Sequence, residues 1–226
     1  MIKKILFPLC VIFTVGVNAQ KEASNWYFGS NAGVHFDTDA GTVTPLSNGA
    51  LSTEEGCTSI SDTDGNLLFY TDGRTVYNAN HNVMLNGTGL KGDASSTQSA
   101  IIIPKPNNTD IYYIFTVDTP AIDFIDTGFN YFEVDMTLDG GLGGVIDNTG
   151  TQLLSNTSEK LSAVLKDCDS QDIWVITFAD INGGESNNSF FAYRVTEFGV
   201  NPTPVISTFN LNIAEIRGYL KFSPSR

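Results

Sequence analysis

The side chains of this protein that are best suited to chemistry, by their type and spacing, are carboxylates at three predicted turns. Each turn follows a short apolar segment and precedes a longer one, and together the turns carry Asp62, Asp64, Asp110, Asp167, Asp169 and Asp172. A shared acidic rim could bind calcium, which prefers oxygen ligands, or a partner with a basic surface. Asp is also common in turns for conformational reasons, and Lys105 and Lys166 reduce the local charge. The sequence leaves both interpretations open.

Other residues suited to catalysis are scarce. The chain contains two histidines, His35 and His81, and neither belongs to a recognisable set of nucleophile, base and orienting acid. A glycosidase needs two carboxylates at a fixed separation, and the sequence does not select such a pair among 25 acidic residues. The glycine-rich residues 140–144 lack the following helix that a phosphate site would need. We therefore predict a loop there and no catalytic residue in the chain.

The acidic turns belong to a repeated strand unit. Three runs share a turn, an apolar and aromatic stretch and a closing Asp: residues 65–72 (GNLLFYTD), 110–118 (DIYYIFTVD) and 172–180 (DIWVITFAD). A shorter apolar segment precedes each run, an aromatic segment follows it, and Gly, Asn, Asp and Pro punctuate the chain at short intervals. This pattern predicts an all-β repeat protein. We interpret the closing Asp of each copy as a strand terminator.

The repeated runs do not alternate between apolar and polar residues, so both faces of these strands are expected to be covered. A β-sandwich would leave one face in water, whereas radially stacked blades cover both faces of their middle strands. The sequence thus predicts, within residues 20–226, a β-propeller of four-stranded antiparallel blades. Three whole blades are expected at about residues 50–93, 94–150 and 151–204, and partial blades at about 25–46 and 205–226.

Residues 1–19 are predicted to be a secretory signal peptide. Two lysines precede an apolar run at 5–17, and Ala19 is the expected cleavage point. No later segment approaches the roughly 20 apolar residues of a transmembrane helix. The formal net charge of −13 argues against nucleic-acid binding, because phosphates require a basic surface. Cys57 and Cys168 are expected to be free thiols, since a single potential pair is not a disulfide framework.

The last part of the chain predicts an incomplete ring. Residues 218–224 (GYLKFSP) repeat the strand that precedes the turn in each copy, and no partner strand follows them. A propeller closes its ring to avoid exposed sheet edges. We therefore expect this sequence to be the N-terminal part of a longer protein rather than a finished small propeller.

Several separated strings resemble a known group of proteins. They are NWYFG (25–29), EGCTSISD (55–62), LFYTDG (68–73), NGTGL (86–90), STQS (96–99) and YYIFT (112–116). These strings resemble the N-terminal propeller region of a group of secreted Bacteroidetes proteins. In that group the region has WD-like or YVTN-like repeats, and a gliding-motility-associated, type IX secretion sorting domain lies at the C-terminus. The resemblance implies export by the general pathway and then the type IX route, with display on the outer cell surface or release. No sorting domain is found within these residues, and the resemblance brings no catalytic residues.

These observations favour a secreted or cell-surface binding module without catalytic activity, which presents its loops to an extracellular protein or glycan. One alternative is a propeller-type secreted glycoside hydrolase or polysaccharide lyase. A second is a structural component of a gliding or adhesion machine. The six turn aspartates are the predicted binding residues, and calcium is the one cofactor that their acidic rim could take.

Overall fold

The computed structural model describes residues 21–119, 127–167, 170–184 and 186–223. Within these ranges the chain is all-β, with seventeen strands and two short 3-10 turns, Lys21–Ala23 and Asp139–Gly141. The all-β class predicted from the repeat is therefore confirmed. The predicted signal peptide, Cys168 and Asp169 lie outside the described residues.

Antiparallel hairpins join the strands into four successive units, which we call meanders. The first contains β1 (Asn25–Phe28), β2 (Ala32–Asp37) and β3 (Thr42–Leu46). The second contains β4 (Thr58–Ser61), β5 (Leu67–Thr71), β6 (Thr75–Asn78) and β7 (Val83–Thr88). The third contains β8 (Ala100–Pro104), β9 (Ile111–Val117), β10 (Phe129–Asp135) and β12 (Thr151–Leu154). The fourth contains β13 (Leu161–Leu165), β14 (Ile173–Ala179), β15 (Asn187–Thr196) and β17 (Val205–Ile213).

Two very short strands complete the sheets. β11 (Gly144–Val145) pairs with β10 and, in parallel, with β7, so it joins the second and third meanders into one nine-stranded sheet. It begins at Gly144, the last residue of the glycine-rich segment that was predicted to be a loop. β16 (Gly199–Val200) pairs with the end of β15.

The pairing also shows which sheet each outer strand completes. Thr151–Leu154 pairs with β10, and Val205–Ile213 pairs with β15. Each is the fourth strand of the sheet before it, although the sequence boundaries assigned each to the following blade. The sequence pattern missed this because an outer strand carries few buried residues, and every residue of β17 is exposed.

The meanders pack face to face in chain order, with one hydrophobic cluster between each pair. Tyr27 of the first meander stacks on Tyr70 of the second with ring centroids 4.5 Å apart. Phe69 of the second packs with Tyr112 of the third in the next cluster. A third cluster, which contains Phe115, joins the third meander to the fourth. The core of the protein is thus three parallel layers of side chains rather than one.

Strand β9 shows how this packing uses a continuously apolar sequence. Tyr112 and Ile114 enter the cluster shared with the second meander, while Tyr113, Phe115 and Val117 enter the cluster shared with the fourth. The prediction that both faces of this run are covered is confirmed for β9, where all residues after Ile111 are buried. On β14 it holds for one face only. There Trp174 and Ile176 remain half-buried, because no described residue forms a further sheet beyond the fourth meander.

The first strands of the second, third and fourth meanders lie side by side, since β4 contacts β8 and β8 contacts β13, and β1 of the first meander contacts β4. This contact is close enough to require glycine at position 56. A Cβ atom added there would lie 2.2 Å from the backbone nitrogen of Ser99. The row of first strands fixes which hairpin turns meet at each end of the molecule.

Candidate binding surfaces

The acidic turns lie at one end of the stacked meanders, which we call the turn end. The turn after β4 contains residues 62–66, the turn after β8 contains 105–110 and the turn after β13 contains 166–172. Because β4, β8 and β13 lie side by side, these turns are neighbours. A direct contact links the second to the third, where the backbone N–H of Asn107 donates to Oε1 of Gln171 at 3.2 Å.

Asp62 organises the first of these turns. Its carboxylate accepts hydrogen bonds from the backbone N–H of Asp64 at 2.9 Å and from the backbone and side chain of Asn66 at 2.8 and 2.9 Å. Partial burial raises the pKa of Asp62, but these hydrogen bonds outweigh it and hold the pKa below its ordinary value. The side chain is therefore a fixed negative charge that also shapes the turn.

The charges of three carboxylates act on the buried side chain of Tyr112. Burial raises the pKa of this phenol, and the negative charges of Asp62, Asp110 and Glu22 raise it further. These residues come from two different turns and from the first 3-10 turn. The structure thus brings Asp62 and Asp110, which are 48 positions apart in sequence, to one acidic patch.

Asp64 belongs to a neighbouring depression of about 260 Å³. The depression is also lined by Asp37, Asp39 and Lys21, and Lys21 is paired with Asp39 at 2.6 Å. The turn between β2 and β3 reaches this end of the molecule because Asn25, at the start of β1, donates to the carbonyl of Gly65 at 2.9 Å. The acidic patch is therefore wider than the sequence predicted, since Asp37, Asp39 and Glu22 were not among the expected residues.

Two aspartates of the third turn, Asp167 and Asp172, are engaged in ion pairs. Asp167 lies 2.6 Å from Lys166, and this hydrogen bond, together with one from the backbone of Ser170, lowers the pKa of its carboxyl group. Asp172 accepts hydrogen bonds from Arg194 on β15, with the Nε contact at 2.8 Å. Asp169 lies outside the described residues. Within the part of the chain that the structure describes, Asp62, Asp64 and Asp110 thus form no ion pair, whereas Asp167 and Asp172 are each paired with a basic side chain.

Calcium is not favoured by this geometry. Among the described residues, no three His, Cys, Asp or Glu side chains are gathered closely enough to hold a metal ion. The carboxylates of the turn end are spread over four turns, and Asp37, Asp62 and Asp167 hold backbone N–H groups in their own turns. A dispersed patch of this kind suits a partner with several separated positive charges better than one small cation.

The aspartates that close each repeat play a structural part. Asp72 accepts the backbone N–H groups of Arg74 and Thr75, Asp118 accepts that of Thr119, and Asp180 accepts that of Asn182. Each carboxylate therefore satisfies donors of the turn that follows its strand. This agrees with their interpretation as strand terminators.

The two histidines also have structural partners. Nδ1 of His35 lies 2.9 Å from Oδ1 of Asn25. His81 lies between the hydroxyl of Tyr70, 3.1 Å from its Nδ1, and the amide of Asn48, 2.8 Å from its Nε2. Burial lowers the pKa of His81. Neither histidine is near a free nucleophile among the described residues.

Glu159 is a buried carboxylate that sequence analysis did not single out. It is fully buried at the end of the molecule opposite to the turn end, just before β13. It accepts hydrogen bonds from the backbone and hydroxyl of Thr97, at 2.8 and 2.7 Å, and from the hydroxyl of Thr119. The next residue, Lys160, donates to the carbonyl oxygens of Glu215, Ile216 and Arg217. In the sequence, Ser158-Glu159-Lys160 has the polar composition of an ordinary surface loop, so no signal distinguished it.

An aromatic groove runs along the free edge of β1. It has a volume of about 250 Å³ and is lined by Trp26, Tyr27, Phe28, Cys57, Thr58 and Ser59. Trp26 is 51% exposed and Phe28 is 39% exposed. Cys57 is a free thiol, as predicted, and burial raises its pKa. A raised pKa keeps the thiol protonated, so Cys57 is a poor nucleophile.

Comparison with protein-family models, with curated proteins and with solved structures found no match to this chain. Among the described residues, no helix is long and apolar enough to cross a membrane. The functional argument therefore depends on the residues and their geometry.

Proposed function

We propose that this chain is a β-propeller-type binding module that acts outside the cell, recognises a protein partner with a basic surface, and performs no catalysis. The four meanders are the blades in this proposal, and the first blade lacks its innermost strand. Support comes from the face-to-face stacking in chain order, from the adjacent first strands, and from three hydrophobic clusters that alternate with the sheets. Radial stacking of four-stranded sheets is the arrangement in which these features occur together.

The single observation that carries the binding proposal is the side-by-side arrangement of β4, β8 and β13, which brings the turns that contain Asp62, Asp64 and Asp110 to one end of the molecule. These charges are fixed by a rigid scaffold, and Asp64 and Asp110 are exposed at its end. Pre-ordered carboxylates of this kind raise the association rate with a basic partner and select for it. The carboxylates of this patch lie on separate turns, which supports recognition of a partner rather than bond cleavage at one point.

The extracellular location in this proposal has its support in the sequence. A pair of lysines followed by an apolar run and Ala19 is typical of an exported protein. The resemblance to N-terminal propellers of type IX secretion substrates supports the same location, and it supports a place within a larger surface protein. A gliding or adhesion machine is one setting in which a binding module of this kind would operate.

A charge-matched pair of variants tests the binding surface. Asp62→Asn with Asp110→Asn removes two charges from the turn end, while Glu54→Gln with Glu55→Gln removes two exposed charges from the opposite end. With an oligolysine peptide as the probe, we expect the first pair to weaken binding by about two- to thirtyfold at low salt, since exposed charge pairs contribute roughly 0.2–1 kcal/mol each. The second pair should leave binding almost unchanged.

Two results would contradict the proposal. Equal losses in the two double variants would mean that oligolysine responds to net charge and not to the turn end. Release of reducing sugar from a polysaccharide panel by the unmodified chain, abolished by substitution of one Asp, would replace the binding module with the glycoside hydrolase alternative.

A further inference from the structure

An apolar patch lies on the outer surface where the second and third meanders are joined. Gly144 of β11 pairs there with Leu85 of β7. The side chains of Leu85 and Leu138 meet over this glycine, since a Cβ atom added to it would lie 3.3 Å from Cδ2 of Leu85 and 3.0 Å from Cδ1 of Leu138. Val83 precedes Leu85 by two positions and Ile146 follows Gly144 by two, so strand alternation places them on the same side. We call Val83, Leu85, Leu138 and Ile146 the outer patch.

The outer patch is open to solvent, although the other side of the same strands is buried. Val83 is 50% exposed, Leu85 is 47% exposed and Ile146 is 50% exposed. Met84 and Val145, which point the opposite way, are buried in the cluster between the second and third meanders. Contiguous exposed apolar patches of this kind mark interaction sites.

Hydrogen bonds hold the outer patch in a fixed position. β11 pairs with β10 on one side and with β7 on the other. In addition, Nδ2 of Asn86 donates to the carbonyl oxygen of Val145 at 3.2 Å, and Nδ2 of Asn148 donates to that of Thr88 at 3.3 Å. A surface that is ordered before binding loses little conformational entropy when a partner covers it, which favours affinity.

Four acidic residues lie beside the outer patch. Glu133 and Asp135 belong to β10, which pairs with β11, and the N–H of Ile146 donates to the carbonyl oxygen of Glu133 at 2.9 Å. Asp139 and Asp147 directly follow two members of the patch in the chain. The sequence contains no Lys, Arg or His between positions 106 and 159, and no described residue forms an ion pair with any of the four. The surface thus combines an apolar centre with uncompensated negative charge.

The outer patch adjoins the turn end. The N–H of Met136 donates to the carbonyl oxygen of Asp110 at 2.8 Å, so the segment that carries Leu138 begins beside an aspartate of the turn end. A partner that places a basic side chain at Asp110 is therefore close enough to place its next residues on the outer patch.

We propose that the partner of the turn end is a protein segment in which apolar and basic side chains alternate, and that its apolar side chains bind on the outer patch. The inference rests on the proposed function for the basic character of the partner, and it adds the apolar contact. Charge complementarity selects this occupant, because its basic side chains meet the four carboxylates while its apolar side chains cover the patch. A second copy of this chain, with a formal net charge of −13, would bring like charges together instead.

Two peptides of equal length and charge test the apolar contact. One alternates leucine with lysine, and in the other serine replaces each leucine. The Ser–Lys peptide reports the attraction of the carboxylates alone. In fluorescence anisotropy titrations we expect the unmodified chain to bind the Leu–Lys peptide about tenfold more tightly, because apolar surface on both partners leaves water. This preference for leucine should persist at high salt, where binding of the Ser–Lys peptide weakens.

A matched pair of double variants locates the contact. Leu85→Ser with Ile146→Ser alters the outer patch, while Leu211→Ser with Ile206→Ser makes the same chemical change at two exposed residues of β17. The first double variant should lose most of the preference for leucine and bind the Ser–Lys peptide as the unmodified chain does. The second should keep the preference.

Hydrogen exchange gives a result that does not depend on a variant folding. In the unmodified chain, the Leu–Lys peptide should slow amide exchange across β11 and Ile146, and the Ser–Lys peptide at equal occupancy should not. Equal affinities for the two peptides would overturn the proposal, and so would an equal loss of the preference in both double variants. Failure of the proposed function has a different signature, since Asp62→Asn with Asp110→Asn would then leave binding of the Ser–Lys peptide unchanged.

Discussion

Replacing Ile114 by alanine tests whether β9 is buried on both faces. Ile114 is fully buried and faces the second meander, while its chain neighbour Phe115 is fully buried on the opposite face. The substitution removes three methyl or methylene groups, worth about 2.4 kcal/mol in transfer free energy. The cavity left in a layer that cannot collapse adds about 1 kcal/mol. We expect a loss of about 3.5 kcal/mol in the free energy of unfolding.

The matched control is Ile176→Ala, which makes the same chemical change at a half-buried position on the outer face of β14. Here solvent reaches the site, so roughly half of the transfer term applies and no closed cavity forms, which gives a loss of about 1 kcal/mol. Urea unfolding, followed by tryptophan fluorescence at a concentration where the chain is monomeric, measures both. Phe115→Ala should cost about 3–5 kcal/mol, as expected for a buried aromatic residue. Equal losses for the two isoleucines, or a small loss for either Ile114 or Phe115, would refute the layered packing.

Two further predictions concern buried polar groups. Glu159→Ala leaves the backbone N–H and hydroxyl of Thr97 and the hydroxyl of Thr119 without their acceptor, so we expect a loss of about 3 kcal/mol in urea unfolding. Glu159→Gln, which keeps one carbonyl oxygen, should lose about half as much, and the exposed Glu215→Ala should lie within about 0.5 kcal/mol of the unmodified chain. Burial lowers the pKa of His81 from 6.5, so the unfolded chain binds this proton more readily than the folded one. Stability should therefore be full above pH 6.5 and decrease as the pH falls through the lower folded value, a decrease that His81→Asn should reduce. A His81→Asn variant with an unchanged profile between pH 7 and 5 would assign the acid sensitivity to other groups.

The strand repeat predicted the fold class and the two-sided burial of β9 for a physical reason. A run such as Ile111 to Val117 has one small polar residue, Thr116, and no polar face to place in water, so a strand between two apolar layers accommodates it. The outer strands could not be assigned with equal success. β17 is exposed along its whole length, and its membership of the fourth sheet depends on pairing with β15 rather than on its own burial.

The candidate surface was predictable in part. Asp62 and Asp110 occupy equivalent turns, and a repeat of aligned strands brings equivalent turns to one end. The ion pair between Asp172 and Arg194 could not be predicted from the sequence. The two residues are 22 positions apart and meet only through the pairing of β14 with β15. The burial of Glu159 could not be predicted for a related reason. Its burial is produced by Thr97, Thr119 and the segment at 216–218, which converge on it from distant parts of the chain.

Cross-linking between the turns tests most directly whether the stacked meanders build one shared turn end. The experiment uses a chain whose native cysteines are replaced by serine and which carries Asn107→Cys with Gln171→Cys, two residues whose atoms are 3.2 Å apart. The control pairs Asn107→Cys with Asn182→Cys, at the other end of the seven-residue strand β14, about 23 Å away at ~3.3 Å per residue. A short bismaleimide should link the first pair rapidly within one chain and leave the second pair unlinked. Equal yields for the two pairs, or no intramolecular link between positions 107 and 171, would contradict the shared turn end and the binding surface built on it.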